Sequence, residues 1–341
     1  KVTEDLLIVR SIKETIGPRL VQDGIEIIDK LIDIKFEGIK YKFADIDALH
    51  AALIETCEAN NILPTPIHLR KMCELYQLQN VHHGVMLVGS TGCGKTTVIN
   101  AVLDSMEKLS KTSNVIYRID AKAITKDELY GHLDITTREW TDGLFTSIMR
   151  KIVNNTRNED SKMHWIIFDG DIDPEWVENL NSVLDDNKTL TLPNGERIGL
   201  SKNIRILFEV SSVKHATLAT VSRCRMVCFS DNVTTASNML DKFVKNLESL
   251  PLKYNGNTDN DVLTRNIVLQ VQISFADVLR PHIGPTGFIM ELLDISLKSQ
   301  HIMEMLTIRA IETLISILTA KLSNFFEHLS SSTTINLNHD E

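Results

Sequence analysis

Residues 89–96 read Gly-Ser-Thr-Gly-Cys-Gly-Lys-Thr, a run that commits the chain to a strand, a tight loop and a helix in succession. It follows the apolar run Val85-Met86-Leu87-Val88 and precedes a segment of helical period with Val98, Val102, Met106 and Leu109 on one face. The glycines let the backbone turn so that its N–H groups, with the positive end of the following helix, surround a triphosphate. The predicted nucleotide-binding set is Gly89, Ser90, Thr91, Gly92, Cys93, Gly94, Lys95, Thr96 and Thr97. Lys95 is placed to reach the β/γ-phosphates of ATP, and Thr96 to hold its Mg²⁺.

Downstream, Trp165-Ile166-Ile167-Phe168-Asp169 reads as a buried strand ending in a carboxylate, the Walker B arrangement in which Asp169 stabilises the Mg²⁺ shell. The next residue is Gly170, where hydrolysing P-loop enzymes carry a glutamate that orients the attacking water. General-base catalysis supplies about 10²–10⁴-fold in rate. A site without that group is expected to bind well and hydrolyse poorly, and no residue is assigned as catalytic. Asp171, one position further on, is a candidate substitute with a shorter reach. Asp173, Pro174 and Glu175 carry no chemistry: an N-cap acid, a first-turn proline and an early glutamate are accounted for by helix capping.

A chain of 341 residues, 43% of them hydrophobic, can form two compact units with a substantial core. The net charge of −9 argues against a nucleic-acid translocating groove, which needs a basic surface. The five cysteines form no C-x-x-C pair, so a zinc site or disulfide framework is not indicated; Cys224 and Cys228 are expected on one core surface. No apolar stretch approaches the ~20 residues needed to cross a bilayer. The start, Lys-Val-Thr-Glu-Asp, lacks the features of a signal peptide and a methionine, so the chain reads as a piece of something larger. The pair His82-His83 has no further ligand near it in sequence and is expected at a strand edge.

Three regions emerge from the periodicity. Residues 1–59 read as a helical lead-in, broken near Gly17-Pro18 and Gly38. Over 60–230 helices and strands alternate, the pattern of an α/β layer with a mostly parallel sheet. Helices are predicted at 67–78, 96–109 and 174–183, and strands at 85–88, 115–119, 165–169, 204–210 and 226–229. Two excursions interrupt the scheme: 129–143, and 190–198, where Asn194-Gly195 between alternating residues predicts a β-hairpin. Residues 231–329 are helical, with helices at 236–250, 275–279, 287–299 and 306–325, a polar loop at 253–261, and a polar linker at 330–341.

The runs Ala123 to Gly131, Arg138-Glu139-Trp140-Thr141-Asp142-Gly143, Trp165 to Lys188 and Ala219-Thr220-Val221-Ser222-Arg223-Cys224 resemble the dynein heavy-chain family, and within it the second AAA+ module of the cytoplasmic motor ring. The match is close over 75–230 and looser outside. The resemblance implies an AAA+ P-loop NTPase fold, a large α/β subdomain with a parallel sheet between helices and β-hairpin insertions, plus a small helical lid. It implies a place in a six-module ring made by one polypeptide, where this module holds ATP as a largely structural ligand while the first hydrolyses to drive movement toward microtubule minus ends. Neighbouring modules and the linker, which acts on the two insertions, are the implied direct partners; the heavy-chain dimer, accessory chains and the microtubule are reached through the parent, in the cytoplasm.

The family also implies roles for single residues. Arg223 would act as an arginine finger on the preceding module. Arg225, where relatives usually have glycine, leaves open which of the two arginines does so. Arg309, at the start of the lid helix, would contact the phosphates of its own module. Glu209 takes the place of a polar γ-phosphate sensor; it either pairs with a cation, in a neighbouring subunit for example, or replaces the missing base. The alternatives are a hydrolysing module using Glu209 or Asp171, and a module of a midasin-type remodelling ATPase.

Overall fold

The computed structural model describes residues 4–20, 22–36, 46–60, 62–134, 136–155, 157–185, 187–230, 233, 235–249, 262–284, 287–302 and 306–337. The chain divides into two compact units, one built from residues 1–60 and 64–233 and the other from 61–63 and 234–341.

In the first unit, helices α1 (Glu4–Thr15), α2 (Gln22–Lys35) and α3 (Ile46–Ala59) precede α4 (Pro66–Val81), with a 3-10 turn at Gly17–Arg19. Thr65 caps α4 by accepting the amide of His68, and Pro66 sits in the first turn, where its missing N–H is not needed. The lead-in is not a separate body. Leu53 and Cys57 of α3 are buried, the Cys57 Sγ meets the Met72 Sδ of α4 at 3.9 Å, and the hydroxyl of Ser105 donates to the Ala52 carbonyl at 3.4 Å.

The α/β part follows as β1 (Gly84–Val88), α5 (Lys95–Ser110), β2 (Asn114–Ile119), α6 (Lys126–Tyr130), β3 (Gly131–Leu133), β4 (Trp140–Asp142), α7 (Leu144–Val153), β5 (Met163–Asp169), α8 (Pro174–Val177), α9 (Asn181–Leu184), β6 (Thr189–Thr191), β7 (Arg197–Gly199), β8 (Ile204–Val210), α10 (Leu218–Arg223) and β9 (Arg225–Cys228). Five strands form one sheet in the order β2-β5-β8-β1-β9, and its four pairings are all parallel. Near-continuous apolar runs such as Ile166-Ile167-Phe168 suit strands covered on both faces. Phe168 stacks on Phe208 at 5.4 Å and lies 5.1 Å from Trp176, tying β5, β8 and α8 into one aromatic cluster. The chain leaves β1 in the interior of the sheet and re-enters at its far edge as β2. That switch opens a crevice at the carboxyl ends of the strands.

Both excursions are antiparallel pairs, β3–β4 and β6–β7. In the second, the Leu192 amide donates to the Glu196 carbonyl at 2.8 Å and the Gly195 amide to the Leu192 carbonyl at 2.9 Å. Only Gly195, at φ +86°, uses the left-handed region. The hairpin therefore closes with a three-residue loop and a glycine bulge rather than through positive φ at both Asn194 and Gly195.

The second unit packs α11 (Ala236–Ser249), α12 (Val262–Ile283), α13 (Phe288–Lys298) and α14 (Thr307–Leu337) around Leu240, Phe243, Val268, Ala276, Ile311 and Phe326. Two expectations change. The helix predicted at 275–279 is the last part of the 22-residue α12, and α14 continues to Leu337, into the stretch read as a linker. Once a helix is nucleated, each further residue adds a hydrogen bond without a new nucleus. The polar loop predicted at 253–261 lies outside the described residues. No helix among the described residues is long and apolar enough to cross a membrane.

Candidate nucleotide-binding site

The glycine loop leaves β1 and enters α5 at Lys95. Gly89 is required by close approach: a β-carbon there would lie 2.6 Å from the Phe229 carbonyl oxygen. Gly92 and Gly94 take φ of +84° and +96°, open to glycine and unfavourable for other residues. Cys93 is buried, whereas Ser90, Thr91 and Thr96 are exposed and Thr97 half-buried. The buried Lys95 ammonium donates to the carbonyls of Gly89 at 2.7 Å and Ser90 at 2.9 Å, so it lies within the loop.

Around the loop is a cleft of about 410 Å³ lined by Thr91, Gly92, Lys95 and Thr96, by the ends of β5 and β8, and by Asp120 and Lys122 after β2. Register places Asp169 beside Glu209 across β5 and β8. Asp169 is exposed. Gly170 sits at φ +121°, and its amide donates to the Glu209 carbonyl at 3.0 Å.

Glu209 is 7% exposed. One carboxylate oxygen accepts from the Thr96 hydroxyl; the other lies 3.7 Å from the Arg118 guanidinium. A cation that pairs with Glu209 thus comes from β2 of the same chain. Arg118 was invisible to sequence reasoning because two strands separate it in the sheet order from β1 and only their register aligns it. Asp171 accepts from the Ser211 hydroxyl and from Lys122 Nζ at 3.2 Å. The Ser211 hydrogen bond, ahead of Lys122, holds its carboxyl below the usual range. Asp120, Lys122 and Ser211 were not singled out from sequence; their shared signal is position just past a parallel strand's carboxyl end.

The remaining arginines lie away from this cleft or in the other unit. Arg223 ends α10, donates from Nε to Asp185 at 2.5 Å and from Nη1 to the Ala219 carbonyl at 3.0 Å. Arg225 opens β9 and donates to His82 Nε2 at 3.0 Å, so His82 serves as a strand-edge acceptor. Arg309 is exposed in the first turn of α14, in the second unit. Cys224 and Cys228 differ in burial and partners. Cys224 is buried in the core, where a β-carbon on Gly84 would meet its Sγ, while the Cys228 thiol donates to the Arg19 carbonyl at 3.2 Å; Cys224 precedes the strand as the C-cap of α10, so strand periodicity does not relate them.

Mg²⁺ takes oxygen ligands and commonly one or two carboxylates, leaving other positions to phosphate and water. Thr96 and Asp169 supply such donors at one mouth, beside Glu209, one of whose buried oxygens has no hydrogen-bond donor. No cluster of three His, Cys, Asp or Glu suited to holding a metal by itself occurs among the described residues.

A profile described as the AAA domain of the dynein-related subfamily matches residues 84–224. One described as the hydrolytic ATP binding site of the dynein motor region matches 1–96, ending before the strand that carries Asp169. A protein of Fusarium vanettenii named "Dynein heavy chain, cytoplasmic" is 45% identical over 332 residues, 96% of this chain. The chain is an AAA module of the dynein heavy-chain family. The dynein heavy chains named cytoplasmic from Neurospora crassa and Dictyostelium discoideum are 44% and 37% identical over 97% and 94% of the chain. The chain spans about 8% of the length of these dynein heavy chains. The AAA profile accords with the parallel sheet and glycine loop found here.

Proposed function

We propose that this chain is the second AAA+ module of a cytoplasmic, minus-end-directed dynein motor, that it binds Mg·ATP, and that it turns the nucleotide over slowly or not at all. The observation that carries the reading is the state of the three positions able to supply a base. Gly170 has no side chain. Asp171 is engaged by Ser211 and Lys122 with its carboxyl held low, which makes it a weak proton acceptor. Glu209 is buried between Thr96 and Arg118. The loop amides and Lys95 would cradle the phosphates, Thr96 and Asp169 would hold Mg²⁺, and the ion would shield phosphate charge. A ligand held at a thousandfold over its Kd stabilises the folded arrangement by about 4 kcal/mol. The module would thereby stiffen the ring, with the linker and adjacent modules as partners and the microtubule reached through the parent.

Arg223, at a helix end and partly exposed, is the proposed finger toward the preceding module, and Arg309 the proposed contact from the lid helix. Likeness to dynein heavy chains over nearly the whole chain favours this reading over a midasin-type remodelling ring. The competing reading, a hydrolysing module, draws on Glu209 standing beside Asp169 in register. Nucleotide extracted from the parent heavy chain decides between them. Lys95→Ala is expected to remove one equivalent per chain relative to wild type, and that equivalent is ATP for a structural ligand but ADP for turnover. Equal nucleotide content in the two proteins would end the binding reading itself.

A further inference from the structure

Glu209 stands where a charge repelling the γ-phosphate, or a displaced base, would be expected, and its contacts fit neither role. Its first oxygen accepts the proton of the Thr96 hydroxyl. A hydroxyl oxygen that has given its proton to one partner turns its lone pairs elsewhere, and Thr96 lines the cleft together with Asp169. The second oxygen faces Arg118 at 3.7 Å with no other donor. Arg118 is itself fixed, since its Nη2 donates to Asn100 Oδ1 on α5 at 2.7 Å. A chain of contacts therefore runs Asn100–Arg118–Glu209–Thr96, starting and finishing on the same helix.

We infer that Glu209 is a positioning residue for the Mg²⁺ ligand Thr96, with Arg118 holding its carboxylate in place. The inference rests on the Mg·ATP reading above. Outer-shell hydrogen bonds of this kind orient a ligand and raise its donor strength, and losing one lowers metal affinity about 10–100-fold. Asp169, the carboxylate that would be expected to receive the threonine proton, is left free to meet the ion's hydration shell. The ion pair also places a positive charge behind Glu209, which offsets its negative charge beside bound phosphate.

The test is the Mg²⁺ dependence of nucleotide retention in the full heavy chain, taking as signal the nucleotide equivalent that Lys95→Ala removes. For Glu209→Ala the Mg²⁺ concentration giving half retention is expected to rise about 10–100-fold, with retention in EDTA unchanged. Arg118→Ala should shift it in the same direction by less. Glu209→Gln keeps an acceptor oxygen for Thr96 and should restore most of the loss, which also keeps the idea testable if the alanine variant folds poorly. An unshifted Mg²⁺ midpoint in Glu209→Ala would overturn the inference. So would tighter retention in EDTA for Glu209→Gln, the sign of relieved phosphate repulsion, or a change of the retained nucleotide from ADP to ATP, the sign of a lost base. If Lys95→Ala removes no equivalent, the binding reading has failed instead.

Discussion

Arg150 of α7 grips Glu196 in the β6–β7 loop with two parallel hydrogen bonds, Nη1 to Oε1 at 2.7 Å and Nη2 to Oε2 at 2.6 Å. Its Nε donates to Asp142 of β4 at 2.6 Å, and the other Asp142 oxygen accepts from the Trp140 indole at 2.7 Å. One guanidinium thus joins both hairpin insertions to the same helix. Lysine cannot reproduce this fork. Both Arg150→Lys and Arg150→Ala should speed amide exchange in β3–β4 and β6–β7 together, leaving the strands of the main sheet protected. Loosening of only one hairpin would show that the two are not coupled through this residue.

Gly170 should resist replacement. At φ +121° any side chain is strained, by about 1–3 kcal/mol, and a glutamate would start 3.6 Å from the Asp120 carboxylate. Gly170→Glu and Gly170→Ala are both expected to lower the thermal midpoint, and the glutamate to restore no turnover. The simple expectation that adding back the missing acid repairs hydrolysis is thus not supported by the backbone. Phosphate release from a Gly170→Glu chain whose other sites are disabled checks the point.

For Asp171 the folded carboxyl titrates below its ordinary value of about 3.9. Its contribution to stability is therefore complete above that value and fades as pH falls through the folded value. Asp171→Asn should flatten the acid limb of the stability curve below about pH 4 and change little near neutrality. Denaturant titrations across that range report the slope.

Arg223 and Arg225 can be told apart by what each touches. Arg225 is committed to His82 inside its own module, while Arg223 ends a helix with one carboxylate partner, Asp185. An arginine finger is worth about 10³–10⁵-fold in turnover. Arg223→Ala is expected to depress ATP hydrolysis by the parent protein toward that extent without changing this module's nucleotide content, and Arg225→Ala to leave hydrolysis near wild type. The reverse pattern would reassign the finger.

Local signals carried much of this architecture. The glycine loop, the Asp173 cap and the apolar strands each announce themselves within a few residues, and the strands at 204–210 fall where periodicity puts them. The ion pair between Arg118 and Glu209 could not be read that way. It joins residues 91 positions apart, and depends on β5 lying between their strands, which sheet order alone decides. The positive φ of Gly170 was equally hidden, because glycine is compatible with either sign. In α12, polar residues such as Asn266, Gln270 and Gln272 break the apolar period, so only its last part looked helical.

Strand β9 is four residues long, with Arg225 at one end and, just past the other, the Phe229 backbone resting on Gly89 too closely to admit even a methyl group. So short a rod has no slack. A displacement of the glycine loop would bear on Phe229, at the end of a strand that begins two residues after Arg223. If Arg223 is the finger proposed above, the glycine loop and that arginine are joined by one backbone contact and a single short strand.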